Sequence, residues 1–190
     1  MIIECTSPKE IAFSYKEISN PRLLEYAKNK LPLHGTLKQD MTRTYCYLKI
    51  QDSFIFELFP LIKKPGLSIP NYFPPRYDTG AHISVIYPEE MPSEKMKIDE
   101  LEQPFYFKVT GFLSISVFNK TFFALTVSSP SLNQLRLKYK LPTKLNYRSL
   151  LVPFHITIAT SIQPIERKDD EDDKSSSSLE SNLSNQRSPL

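Results

Sequence analysis

The 190-residue chain has only two cysteines, Cys5 and Cys46, which do not form a CxxC pair. That scarcity argues against a disulfide framework and a cysteine zinc site, and it fits a reducing compartment, the cytoplasm or the nucleus. Nowhere do the roughly 18 consecutive apolar residues of a membrane-spanning helix occur, so no membrane partner is expected. The opening stretch "MIIECTSPKEIAFSY" carries Glu4 and lacks a basic region ahead of an apolar one, so it does not read as a secretory signal. Histidine is scarce as well. There are three, at positions 34, 82 and 155, and two of them sit in nearly the same phrase.

Charge is unevenly spread. Residues 166–190 hold four basic and seven acidic side chains and a serine run, while residues 1–165 hold 20 basic and 14 acidic ones. The segment from 166 onward has almost nothing to bury and reads as a disordered acidic tail. Residues 1–165 read as one folded domain with a mildly basic surface, compatible with an anionic partner and equally with plain solubility.

Within the body, "NPRLLEYAKNKL" (20–31) predicts a helix capped by Asn20 with Pro21 in its first turn. "RTYCYLKI" and "FIFELFPLI" read as a hairpin over 43–62. "KKPGLSIPNYFPPRYDTG" (63–80), broken by prolines and glycines, reads as a long loop before the strand "AHISVIY" (81–87). The second half repeats this order. "PEEMPSEKMKIDEL" reads as holding a short helix. "FYFKVTGFLSISVF" and "TFFALTVSS" read as a hairpin turning at Asn119-Lys120. "SPSLNQLRLKYKL" reads as a helix with a stripe of Leu132, Leu135 and Leu137. "PTKLNYRSLLVP" reads as an irregular approach to the strand "FHITIAT" (154–160). The two histidine strands are about 73 residues apart. That spacing is too long and too sparse for a solenoid, and two half-domains facing a cleft explain it better.

Along a strand, residues i and i+2 share a face. His82 therefore projects with Ser84, and His155 with Thr157, while Ala81, Ile83 and Val85, and Phe154, Ile156 and Ile158, turn to a core. One such histidine on its own is read most simply as a partly buried residue with satisfied hydrogen bonds. Two in the same context ask for a shared purpose. Metal binding by His34, His82 and His155 lacks the usual close spacing or helper carboxylate, and His34 in "LPLHGTL" reads as a surface or packing residue in a turn. Two imidazoles and two hydroxyls around one anion suit phosphodiester chemistry. One histidine acts as base and the other as acid across phosphorus, and the hydroxyls donate to non-bridging oxygens.

"AHISVI" and "FHITIA" both match apolar-His-apolar-Ser/Thr-apolar-apolar, and the chain thereby resembles the 2H phosphoesterases, the LigT-like and cyclic-phosphodiesterase superfamily, over roughly residues 40–162. The resemblance implies an α+β bilobal fold, with two pseudo-symmetric β-sheet lobes, outer helices and a central cleft. It implies His82 and His155 as catalytic residues and Ser84 and Thr157 as phosphate-binding ones. It also implies metal-independent hydrolysis of 2′,3′-cyclic phosphates or 2′,5′/3′,5′ linkages in RNA or small nucleotides, with no cofactor and a monomeric enzyme. In the approach loops, Tyr72, Tyr77, Tyr147, Arg76 and Arg148 are further substrate-binding candidates, by base stacking and phosphate contact. Rival readings are a non-catalytic RNA- or nucleotide-binding module on the same fold, and an interaction protein that works through its acidic tail.

Overall fold

The computed structural model describes residues 13–73, 78–91, 97–117, 119–147 and 150–162. The proposed tail from 166 lies outside the described residues. Among the described residues, ten strands are arranged mainly as two antiparallel four-stranded sheets. One sheet is built from β2 (His34–Gln39), β3 (Cys46–Lys49), β4 (His82–Ile86) and β5 (Pro104–Tyr106), in the order β4-β3-β2-β5. The other is built from β1 (Phe13–Glu17), β6 (Lys108–Val117), β7 (Lys120–Ser128) and β10 (His155–Ile162), in the order β1-β6-β7-β10. Each sheet thus has a central hairpin, a supplementary strand on one side and a His-x-Ser/Thr strand at the other edge. The two motif strands, β4 and β10, lie beside one another.

Helix α1 (Pro21–Asn29) forms where its cap and proline predict. Asn20 accepts a hydrogen bond from the Leu23 amide at 3.1 Å, and Leu23 and Ala27 are fully buried. It packs on β6 of the other half's sheet. Helix α3 (Pro130–Lys138) is capped by Ser129 and packs on β4 and β5. Its buried stripe is Leu132, Leu135 and Arg136, not the expected one ending at Leu137, whose side chain is exposed. The inward position after Leu135 is one residue on, not two, because a helix turns about 100° per residue.

The hairpin expected over 43–62 is not formed. "FIFELFPLI" folds instead as α2 (Ser53–Phe56) and a 3₁₀ turn at Phe59–Leu61. Phe54, Ile55 and Leu58 are fully buried, whereas Phe56 is exposed. Apolar spacing of one and four residues is a helical period, and it prevails over the aromatic and β-branched composition that reads as strand. The partner of β3 is β2, which the His34 segment opens, so that segment is strand rather than turn. The β6–β7 hairpin is paired through to Val117 and Lys120, which places Lys120 in the strand rather than the turn. The stretch after Tyr87 begins with a 3₁₀ turn at Pro88–Glu90, and residues 92–96, on which the expected short helix also falls, lie outside the described residues. The second approach segment is a small hairpin, β8 (Leu145–Tyr147) and β9 (Leu150–Val152), rather than an irregular loop. The loop from residue 63 is largely irregular as expected, but Ser68 bridges Thr160 on the free edge of β10 through hydrogen bonds of 2.8 and 2.9 Å.

One core spans both sheets and includes Leu37, Leu48, Ile83, Leu125, Leu132 and Ile156. Cys46 is inside it, and burial pushes its thiol up to about 12. No helix among the described residues is long and apolar enough to cross a membrane.

Candidate active-site cleft

The strand alternation anticipated for the two motifs holds up to a shared irregularity. Ile83 and Ile156 are fully buried, while His82 and His155 are only partly covered. In β4 the register moves from Tyr47↔Ser84 to Cys46↔Ile86, so Val85 is an extra residue. In β10 it moves from Thr157↔Ala124 to Ala159↔Phe123, so Ile158 is extra. Each strand therefore bulges three residues after its histidine. A bulge shifts the phase of alternation, and this explains why Thr160 joins His155 and Thr157 in lining the cleft.

The cleft has a volume of about 590 Å³, and His82, Ser84, His155 and Thr157 all line it. The two imidazoles are held identically. His82 Nδ1 is 2.7 Å from the Gly80 carbonyl oxygen, and His155 Nδ1 is 2.8 Å from that of Pro153. A carbonyl only accepts, so Nδ1 carries the hydrogen in both rings, and Nε2 is left as the basic nitrogen of the neutral tautomer. Burial lowers the pKa of both rings. His82 falls to about 4, with a further depression from the nearby His155 and Lys49, against the favourable Gly80 hydrogen bond. His155 is lowered by burial, against its bond to Pro153. Both rings are thus neutral near pH 7.

The hydroxyls each face a tyrosine. The Tyr45 hydroxyl lies 2.7 Å from Ser84 Oγ, and Thr157 faces the Tyr72 hydroxyl closely enough to lower its pKa against the effect of burial. Burial raises the pKa of Tyr45 well above its ordinary value, and raises those of Tyr72 and Tyr87 too, so all three stay protonated. A tyrosine that donates to Ser84 frees the serine hydrogen for an anion in the cleft. The Tyr72 ring stands 4.8 Å from His82 at 70°, and the Tyr87 and Tyr147 rings are 5.3 Å apart. The first-sheet side of the cleft is therefore a tyrosine wall. The other side is apolar, with Ile115, Val117, Phe122, Leu150 and Val152.

Of the loop candidates, Tyr72 and Tyr147 line the cleft, while Arg76, Tyr77 and Arg148 lie outside the described residues. His34 does not line the cleft and pairs its ring with Tyr106 at 5.8 Å. Sequence reasoning missed Tyr45, Tyr87 and Lys120, all of which line the cleft. For Tyr45 a signal was present. In "YCYLKI", Tyr45, Tyr47 and Lys49 alternate with the buried Cys46, Leu48 and Ile50, and Tyr47 and Lys49 are cross-strand partners of Ser84 and His82. Asp40 fixes the turn that delivers Tyr45, accepting from the Thr44 and Tyr45 amides at 2.9 Å. Burial opposes ionisation of Asp40, but the hydrogen bonds from Thr42, Tyr45 and Thr44 outweigh it and hold its carboxyl below the ordinary value.

Two antiparallel sheets bring paired His-x-Ser/Thr strands into one cleft. The family model 2H-SAK, described as Swiss Army Knife, 2H phosphoesterase domain, matches residues 46–165, nearly two thirds of the chain. The chain belongs to this 2H phosphoesterase family. No curated protein and no solved structure gives a significant match.

Proposed function

We propose that this domain hydrolyses phosphodiesters of RNA or small nucleotides, either 2′,3′-cyclic phosphates or 2′,5′/3′,5′ linkages, by acid–base catalysis between His82 and His155 and without a metal. The supporting observation is the matched pair of imidazoles in one cleft, each fixed through Nδ1 and offering Nε2. The scaffold is read as two lobes related by a pseudo-twofold axis, with one histidine from each. One neutral histidine takes the proton from the attacking oxygen as it bonds to phosphorus. The other, as imidazolium, gives its proton to the departing oxygen. A bound phosphate supplies the negative charge that favours the protonated ring, while a charge on His155 disfavours protonation of His82. Ser84 and Thr157 donate to the non-bridging oxygens, where charge builds.

The test is a panel of 2′,3′-cyclic nucleotides, 2′,5′-oligoadenylate and 3′-tailed RNA, with products resolved by mass. His82→Ala and His155→Ala are expected to lose about 10²- to 10⁴-fold in rate while remaining folded, and EDTA is expected to have no effect. Full activity in either variant overturns the reading.

A further inference from the structure

A second groove, of about 670 Å³, lies on the opposite face of the β1-β6-β7-β10 sheet. Strand register puts Lys16 opposite Ser114 on that face, whereas Ile115 and Val117 line the catalytic cleft. Arg22 enters the groove from the first turn of α1, and Lys63 and Lys64 enter from the start of the long loop. All four side chains belong to exposed residues. None makes an ion pair among the described residues. Glu17 is the single carboxylate in the described lining. The floor is apolar, and Lys64 Nζ stands 4.8 Å over the centre of the Phe123 ring.

The groove and the cleft are joined by one segment. From Lys64 the loop passes the free edge of β10, where Ser68 pairs with Thr160, and enters the cleft at Pro70, Asn71 and Tyr72. Tyr72 lies eight residue steps after Lys64, a reach of at most roughly 28 Å. Unpaired cations above an apolar floor are what a single nucleic-acid strand requires, with phosphates met by charge and bases by aromatic or apolar faces.

We propose that this groove binds the phosphates of single-stranded RNA whose reacting phosphate sits in the cleft, so that the substrate is a polymer rather than a mononucleotide. The inference rests on the phosphodiesterase reading for its substrate but not for its binding test. A non-cleavable 2′-O-methyl RNA of roughly 12 nucleotides, within the ~4–16 that one binding face covers, is titrated by fluorescence anisotropy at several salt concentrations. The proteins compared are the wild type, Lys63→Glu/Lys64→Glu and Lys16→Glu/Arg22→Glu. Each double variant is expected to weaken binding and to reduce the slope of log K against log salt by about 1.4, at ~0.7 per lost phosphate contact. In turnover, the preference of wild type for a cyclic-phosphate oligonucleotide over the cyclic mononucleotide is expected to collapse in both variants. An unchanged slope overturns the proposal, as does binding to phosphatidylserine vesicles without binding to RNA. Charge-dependent RNA binding with no turnover on any substrate retains the groove and removes the phosphodiesterase reading. Turnover with an unchanged slope does the reverse.

Discussion

Tyr72 connects the two histidine motifs. Its ring stands 4.8 Å from His82 on one sheet, and its hydroxyl feels Thr157 on the other. It comes from the loop that also clips to β10 through Ser68. Tyr72→Phe keeps the ring against the imidazole and removes the hydroxyl that faces Thr157. A neutral hydrogen bond contributes about 0.5–1.5 kcal/mol, so kcat is expected to fall roughly 2- to 12-fold with KM little changed. Tyr72→Ala removes the ring contact as well and is expected to fall further. Equal kinetics for wild type and Tyr72→Phe would show that Thr157 needs no orienting partner.

Gly80 positions His82. Its carbonyl accepts the imidazole Nδ1–H, its φ is +59°, and its missing side chain leaves room for the Lys49–Asp52 pair. A Cβ there would lie 2.5 Å from Asp52 Oδ1 and would also collide with Lys49 Nζ. Asp52 in turn accepts from the Ala81 amide at 2.9 Å. Gly80→Ala is therefore strained both in backbone and in space. Displacing the carbonyl by about an ångström costs on the order of 100-fold in kcat, and the pH profile should move as the tautomer of His82 is released. The check is kcat against pH for the pure variant, with circular dichroism to establish that it is folded. An unmoved profile would end the positioning role.

Much of this site was legible in the sequence because it depends on local rules. The repeated His-x-Ser/Thr phrase needs only the two-residue period of a strand. Helices α1 and α3 were announced by Asn20-Pro21 and Ser129-Pro130. What stayed hidden depends on tertiary pairing. Tyr45 reaches Ser84 only because β3 pairs with β4 in one register across a bulge at Val85. Residues 54–62 were misread because Phe54, Ile55 and Leu58 have strand-like composition with helix-like spacing. β1 alternates Phe13 and Tyr15 with Ser14 and Lys16, but five residues are too short a signal to mark a strand, and it is fixed by lying against β6, about 100 residues later in the chain.

Stability should fall in mild acid because of the histidine pair. The folded-state pKa of His82 is about 4 against an ordinary 6.5, and that of His155 is also lowered. Between those values the unfolded chain takes up protons that the native state refuses. The contribution is present in full above about pH 6.5 and is lost as pH falls toward 4. Tm is expected to drop between pH 7 and pH 4.5 in wild type, and to drop less in His82→Gln/His155→Gln. Scanning calorimetry across that range gives the comparison, and parallel curves for the two proteins would refute the linkage. An inert phosphate anion in the cleft should raise the His82 value, which can be read from its ring proton shifts in an NMR titration.

The buried Arg136–Glu90 pair supports the tyrosine wall from behind. Arg136 is fully buried and Glu90 nearly so. All five guanidinium donors are used. Nη1 donates to the Val85 carbonyl and to Glu90, Nη2 to Glu90 at 2.6 Å and to the Lys144 carbonyl, and Nε to the Pro142 carbonyl. Glu90 also accepts from the amides of Tyr87 and Asn146, which ties the end of β4 to β8. Val85 is the bulge residue of β4, the terminal strand of its sheet, and Arg136 satisfies its carbonyl. Removing one partner strands a charge in the core, at a cost of about 3–5 kcal/mol. For a chain of this size that is roughly 6–20 °C in Tm, at ~2–4 °C per kcal/mol. Arg136→Met and Glu90→Gln are each expected to show that loss. The double variant is expected to be less destabilised than the sum of the two, because neither leaves the other unpaired. Strict additivity in thermal melts would mean that the two side chains act independently, and that the wall of Tyr87 and Tyr147 is held by packing alone.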